Sequence, residues 1–209
     1  AAIGASLAVA ARGATDVEIR DAFERAIIDQ GAEHLFSAIG VGTRTSMANV
    51  QPDGTRLGPG ALLRYDVGCR FHGYASDLAR NATLGPAPDR VQRYYRALLN
   101  GEEAAMQQMR PGVPAGDVFA AAMQAVHHSG LPHYRRHHVG HAIGLDSYEA
   151  PILRPGETTR LEAGMTFCVE TPYYELGLGG LQVEDMVVVT ENGAERLTVL
   201  SRDLFELVG

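Results

Sequence analysis

A chain of 209 residues, 45% hydrophobic and 21% charged, is sized for one globular domain with a core of its own. Its net charge of −7, with no basic block and no stacking series of aromatics, argues against nucleic acid as a partner. All 18 basic residues are arginine, which excludes a lysine nucleophile, a Schiff base and a P-loop.

No apolar run reaches the roughly 18–20 residues that a membrane helix needs, so no membrane partner is expected. The opening AAIGASLAVAA lacks a basic start and reads as a core helix, not a signal peptide. The chain opens inside this pattern, as a fragment would. Cys69 and Cys168 fit no CxxC spacing, so reduced thiols and a cytoplasmic protein are expected.

Next comes an internal repeat. RGATDVEIRDAFERAIIDQG (12–31) parallels PGVPAGDVFAAAMQAVHHSG (111–130). Gly13 and Gly31 lie 18 apart, as do Gly112 and Gly130, and Glu18 and Asp117 each follow the first glycine by five. Each segment is an apolar-periodic helix stopped at glycine. GALLRYD (60–66) then parallels GMTFCVE (164–170): glycine, a β-prone run, a carboxylate. Downstream, HGYASD ends at Asp77 and GGLQVED supplies Glu184. Each half therefore reads as a helix followed by two strands, with an acid on each strand. A second helix is expected over Asp89–Met109. Strands are expected over Met186–Thr190 and Arg196–Leu200, joined by the turn Glu191-Asn192-Gly193. The fold class is α+β: two similar halves, antiparallel strands, helices on one face.

Asp66 and Glu170 end apolar runs, where a carboxylate is poorly hydrated. A buried unpaired charge costs several kcal/mol, so such acids are paired, protonated or metal-bound. Converging Asp66, Asp77, Glu170 and Glu184 would repel one another and take up protons. Two divalent ions would remove the repulsion, and one imidazole would complete an oxygen-rich shell favouring Mn, Co or Fe. His141, in GHAIG between Gly140 and Gly144, is the expected imidazole. A zinc helix built on His137 and His141 fails for want of the acid of an HExxH pattern. His138, His127 and His128 read as surface histidines, and a loop role for Glu149 stays open.

The chain resembles the pita-bread metallopeptidases, a family that includes methionine aminopeptidase, aminopeptidase P, prolidase and the metal-free creatinase. The resemblance runs from about Arg12 onward and is nearest the aminopeptidase P–prolidase branch. It rests on YDVGCRFHGYASDLARNATLG (65–85), HHVGHAIGLDSYEAP (137–151), GMTFCVETPYY (164–174) and GLQVEDMVVVTENG (180–193). It implies a curved antiparallel sheet with outer helices, residues 1–209 as a single catalytic domain, and a possible homodimer. It implies two divalent metals, Mn first, with Co, Fe or Zn as alternatives. Asp66 would chelate one metal, Asp77 and Glu184 bridge both, and His141 and Glu170 hold the second. A water between the metals would be the nucleophile, Glu170 the proton shuttle, and His137 a substrate-site histidine able to hold the oxyanion. Glu149 matches an acid of the family's HE-x-P segment.

Several family positions differ and fall on the expected substrate contacts. Tyr148 stands seven residues after His141 where the branch has histidine. Asn49 stands seventeen before Asp66 where it has another, and Gln182 replaces an arginine. Thr171-Pro172 replaces Pro-Gly, and the N-terminal domain of prolidase is absent from this chain. Neither tyrosine nor asparagine carries a proton near pH 7 as imidazole does. The expected activity is hydrolysis of dipeptides or of the N-terminal residue of short peptides, Xaa-Pro favoured. The alternative is a metal-dependent lyase or amidase for a small zwitterion. A third reading, a binding module with a retired site, conflicts with the intact ligand set.

Overall fold

The computed structural model describes residues 1–208. Helix α1 (Ala2–Ala10) buries Ile3, Ser6, Leu7 and Ala10, the three- and four-residue spacing of one helical face. Helix α2 (Asp16–Asp29) begins with a capping box. The Glu18 N–H donates to Thr15 Oγ1 at 3.3 Å, and the Thr15 N–H donates back to Glu18 Oε2 at 2.8 Å. It presents Ile19, Phe23 and Ile27 to the core. Strands β1 (Glu33–Val41), β2 (Leu62–Phe71), β3 (Tyr74–Ala75) and β4 (Leu78–Leu84) follow. Then come α3 (Asp89–Gln108), α4 (Ala115–His128), β5 (Gly140–Ala142) and β6 (Glu149–Ile152). β7 (Thr166–Glu170), β8 (Tyr173–Glu175), β9 (Gly179–Leu181), β10 (Glu184–Thr190), β11 (Gly193–Arg196) and β12 (Phe205–Leu207) complete the chain.

The main sheet runs β1-β2-β4-β10-β7-β5-β6. Its order is a pseudo-twofold: β4, β2 and β1 on one side of the central seam correspond to β10, β7 and β5 on the other. The two halves repeat their small contacts as well. Thr15 bridges Arg56 and Pro114 bridges Arg160. Arg56 Nη1 donates to Gly13 O and Arg160 Nη1 to Gly112 O, both at 2.6 Å. Leu57 N donates to Ala14 O and Leu161 N to Val113 O, both at 2.9 Å. After each of the paired helices a glycine takes the left-handed backbone, Gly31 at φ 74° and Gly130 at φ 104°.

Strand alternation sorts the two faces. Leu63, Tyr65 and Val67 of β2 pack in a core with Ile19, Phe23 and Ile27 of α2. Phe167 and Val169 of β7 pack with Val118 and Ala122 of α4. The residues between them, Arg64 and Asp66 in β2 and Cys168 and Glu170 in β7, face the other side. The helices thus leave one sheet face free for polar side chains.

The seam between halves has one paired position, Ala79 with Glu184. Arg80, fully buried, reinforces it. Its Nη1 donates to Glu184 O at 2.7 Å, its Nη2 to Asp185 Oδ1 at 2.6 Å and its Nε to Ser201 O at 2.7 Å.

Three expectations change. The hairpin after β10 returns over Gly193–Arg196, so the expected strand over Arg196–Leu200 starts where the real one ends. The sheet is antiparallel except for β12, which pairs parallel with β4. The acids are not one to a strand as expected, because Asp77 lies between β3 and β4. Asp66 is mid-strand, Glu170 ends β7, Glu184 opens β10, and Asp77 sits just before β4. The helix expected over Asp89–Met109 is found at Asp89–Gln108.

Candidate metal centre

Strand register builds the site. Asp66 pairs with Ala79, Ala79 with Glu184, and Glu184 with Glu170, so one row across β2, β4, β10 and β7 carries three acids. Asp77 lies two residues before Ala79, on the same face of the chain. His141 of β5 pairs with Cys168, two residues before Glu170. Residues distant in sequence thereby meet at the junction of the two halves. They line a cavity of about 260 Å³ together with Phe36, Ala38, Asn49, His138, Tyr148 and Gln182.

Electrostatics at this cavity are those of crowded, desolvated acids. Burial first, then Asp66 and Glu170, raise Asp77 well above the ordinary carboxylate range. Burial first, then Asp77, Glu170 and Asp66, do the same to Glu184. Glu170 is raised to about 7, chiefly by burial, while Arg136 pulls it down. Burial also raises Asp66 against the lowering influence of Arg64. Asp77 Oδ1 is buried without a hydrogen-bond partner. That is an expensive vacancy for a carboxylate oxygen.

His141 is held for ligation. Nδ1 lies 3.1 Å from Ala142 O, so the proton belongs there and the Nε2 lone pair is free. Nε2 lies 3.8 Å from Asp77 Oδ2. Burial lowers the pKa of the ring, which favours its neutral form. Single donor atoms of Asp77, His141, Cys168 and Glu184 all lie within 4.8 Å of one another. An orphaned oxygen, acids whose pKa burial and then crowding raise, and an oriented imidazole fit divalent cations of the oxygen- and nitrogen-loving kind.

The remaining predicted residues divide. Gln182 is buried and touches two of the acids: Nε2 is 3.4 Å from Glu170 Oε2 and 3.3 Å from Glu184 Oε2. Tyr148 is 55% exposed, with its ring 4.2 Å from that of His141. Asn49 is exposed at the cavity wall. His137 is exposed and lies outside the cavity lining. Its neighbour His138 is buried within that lining, Nδ1 3.2 Å from Glu170 Oε1. The expected order of these two histidines is therefore reversed. Burial lowers His138 to about 3, with Arg136, His137 and His141 adding to the effect, so its ring is neutral at physiological pH. His127 is half-buried at the end of α4, its Nε2 2.9 Å from Tyr134 O, and His128 is exposed. Glu149 Oε1 accepts the Asp146 N–H at 2.8 Å, a loop contact outside the cage.

Sequence reasoning also passed over Arg64, Arg136 and Cys168. Arg64 Nη1 donates to Gln182 Oε1 at 2.7 Å and lies 3.3 Å from Asp66 Oδ2. A guanidinium thus stands beside position 182 after all, supplied from β2. Arg136 Nη2 is 3.9 Å from Glu170 Oε2. The signal for Arg64 was its two-residue offset from Asp66, which puts both on one strand face. Cys69 and Cys168 are not bonded to each other. No described helix is long and apolar enough to cross a membrane.

Residues 1–191 match metallopeptidase family M24. The Xaa-Pro dipeptidase of Pyrococcus furiosus is 29% identical over 205 residues, covering 97% of this chain and 59% of its own length. Dipeptidase PepE from Mycobacterium ulcerans superposes with a TM-score of 0.88 at 33% identity, covering 93% of this chain and 53% of its own. X-Pro aminopeptidase from Thermotoga maritima superposes at 0.90 with 25% identity, covering 98% and 60%. The chain spans a little over half of the length of these relatives. Its curved sheet with helices on one face is their pita-bread fold. With the match running along most of its length, the chain belongs to metallopeptidase family M24.

Proposed function

We propose that this chain is the catalytic part of a dinuclear metal-dependent hydrolase that cleaves dipeptides or removes the N-terminal residue of short peptides, with proline favoured in second position. The observation that carries the reading is the convergence of Asp66, Asp77, His141, Glu170 and Glu184 on one cavity. The names of the relatives, Xaa-Pro dipeptidase and X-Pro aminopeptidase, support the substrate class. The cavity's volume of about 260 Å³, just below the usual range of ligand sites, suits a small substrate.

Asp66, Asp77, His141, Glu170 and Glu184 would hold two divalent ions, manganese first, with cobalt, iron or zinc as alternatives. Bound there, the ions supply Lewis acidity and lower the pKa of water to near neutrality. The chain's own residues do the rest. Glu170, on the cavity wall, would take a proton and pass it to the leaving amine. His138, rather than His137, faces Glu170 and is the imidazole placed to meet the substrate carbonyl. Tyr148 and Asn49 stand at the mouth, where they can offer hydrogen bonds but no proton relay near pH 7. That last feature favours a second reading, a metal-dependent lyase or amidase for a small zwitterion.

Metal-stripped protein reloaded with Mn²⁺ or Co²⁺ should hydrolyse a panel of Xaa-Pro dipeptides, and a chelator should abolish turnover. Metal-loaded protein inert on the whole panel would transfer support to the lyase or amidase. Equal activity without metal would end both readings.

A further inference from the structure

Two buried polar side chains outside the ligand set are built into the centre more tightly than packing requires. Arg64 is fully buried and uses its whole guanidinium. Nε donates to Thr45 O at 3.1 Å, and Nη2 to Met47 O at 2.8 Å and Ala48 O at 2.6 Å. Nη1 serves Gln182 Oε1 and Asp66 Oδ2. Arginine has five N–H groups, no acceptor and no neutral form in proteins, and all five are engaged here.

This fixes Gln182. Its Oε1 faces only donors, Arg64 Nη1 at 2.7 Å and the Tyr174 hydroxyl at 3.3 Å. The amide nitrogen must therefore point the other way, toward Oε2 of Glu170 and Oε2 of Glu184. The Gln182 backbone is tied separately, its N–H donating to Asn81 Oδ1 at 2.6 Å. Those two carboxylates come from neighbouring strands, β7 and β10, and Asp66 comes from β2.

We propose that Arg64, acting through Gln182, is a positioning residue of the metal centre. It sets the orientation of the Glu170 and Glu184 carboxylates, holds Asp66 directly, and ties all three to the Thr45–Ala48 backbone that leads to Asn49. The inference rests on the metal-binding part of the reading above and adds residues that would not themselves ligate metal. Partners of this kind orient ligands and change metal affinity by about 10- to 100-fold.

The test is Mn²⁺ titration by calorimetry of the metal-free chain as wild type, Arg64→Met, Gln182→Met and the double variant. Each single variant should weaken Mn²⁺ binding by about 10- to 100-fold. The double variant should be no more than about threefold weaker than the weaker single, because both substitutions cut one path. Singles that melt lower yet bind Mn²⁺ like wild type would overturn the proposal, as would losses that multiply. Should Arg64→Met fail to fold, Arg64→Lys takes its place with the same expected loss, since an ammonium cannot serve Gln182 and three carbonyls together. Dipeptide turnover is read separately on the wild type. Coupled Mn²⁺ losses without turnover sink the peptidase reading alone, and turnover with uncoupled losses sinks this proposal alone. A wild type that takes up no Mn²⁺ overturns both.

Discussion

His137 and His138 differ by one position and by everything that matters chemically. One is exposed, and the other is buried 3.2 Å from Glu170. Substituting His138 by alanine should lower kcat of the metal-loaded chain by about 10²- to 10³-fold, the usual cost of removing one donor to a developing oxyanion. His137→Ala should stay within about threefold of wild type on the same scale. Steady-state kinetics on one Xaa-Pro dipeptide separates the two, and equal losses would contradict the assignment. Asp66 and Glu170 were legible in the sequence because they end apolar runs, where their burial has to be answered, and Asp77 and Glu184 because the repeat supplies a second acid in each half. The inward histidine was not. Which of two adjacent rings turns inward is set by the local path of the backbone, which composition does not encode. Arg64 and Gln182 were hidden for another reason: their contact joins residues 118 apart in sequence.

At the scale of elements, β5 is the delicate part. It is three residues long, it carries His141, and it lies against β7. Gly140 makes that approach possible. Its φ is 145°, and a Cβ there would meet Cys168 O at 2.2 Å. A methyl group would strain the backbone and push the strand off β7. Gly140→Ala should cost about 2–3 kcal/mol of stability in urea unfolding and weaken Mn²⁺ binding with it. Unchanged stability and affinity would show that the imidazole does not depend on this contact. The paired helices and the strands Gly60–Asp66 and Gly164–Glu170 were readable from repeated glycine spacing. The short strand β11 was misplaced because Arg196–Leu200 carries a β-prone pattern, whereas the tight turn at Glu191-Asn192 starts pairing at Gly193.

For the whole molecule, the centre is a liability until it is filled. Burial and mutual repulsion raise Asp77 and Glu184 well above their ordinary values and bring Glu170 to about 7. Between about pH 4.5 and 7 the folded chain therefore holds protons that the unfolded chain has released. Stability of the metal-free protein must fall as pH rises through that window. Melting of the metal-free chain should drop by roughly 5 °C from pH 5 to pH 8 on account of these groups, and Mn²⁺ should restore it at pH 8. A melting temperature that rises over this range and ignores Mn²⁺ would mean that the acids are satisfied within the fold. The duplication explains why the site lies at the seam. Each half supplies two acids, and only their junction brings four together.

The most direct test is metal stoichiometry of the purified chain after equilibration with Mn²⁺, for wild type and Asp77→Asn side by side. The account predicts two ions per wild-type chain and a loss of bound metal in Asp77→Asn, along with its dipeptidase activity. A wild type that retains no manganese, or an Asp77→Asn variant that retains as much as wild type, would contradict it.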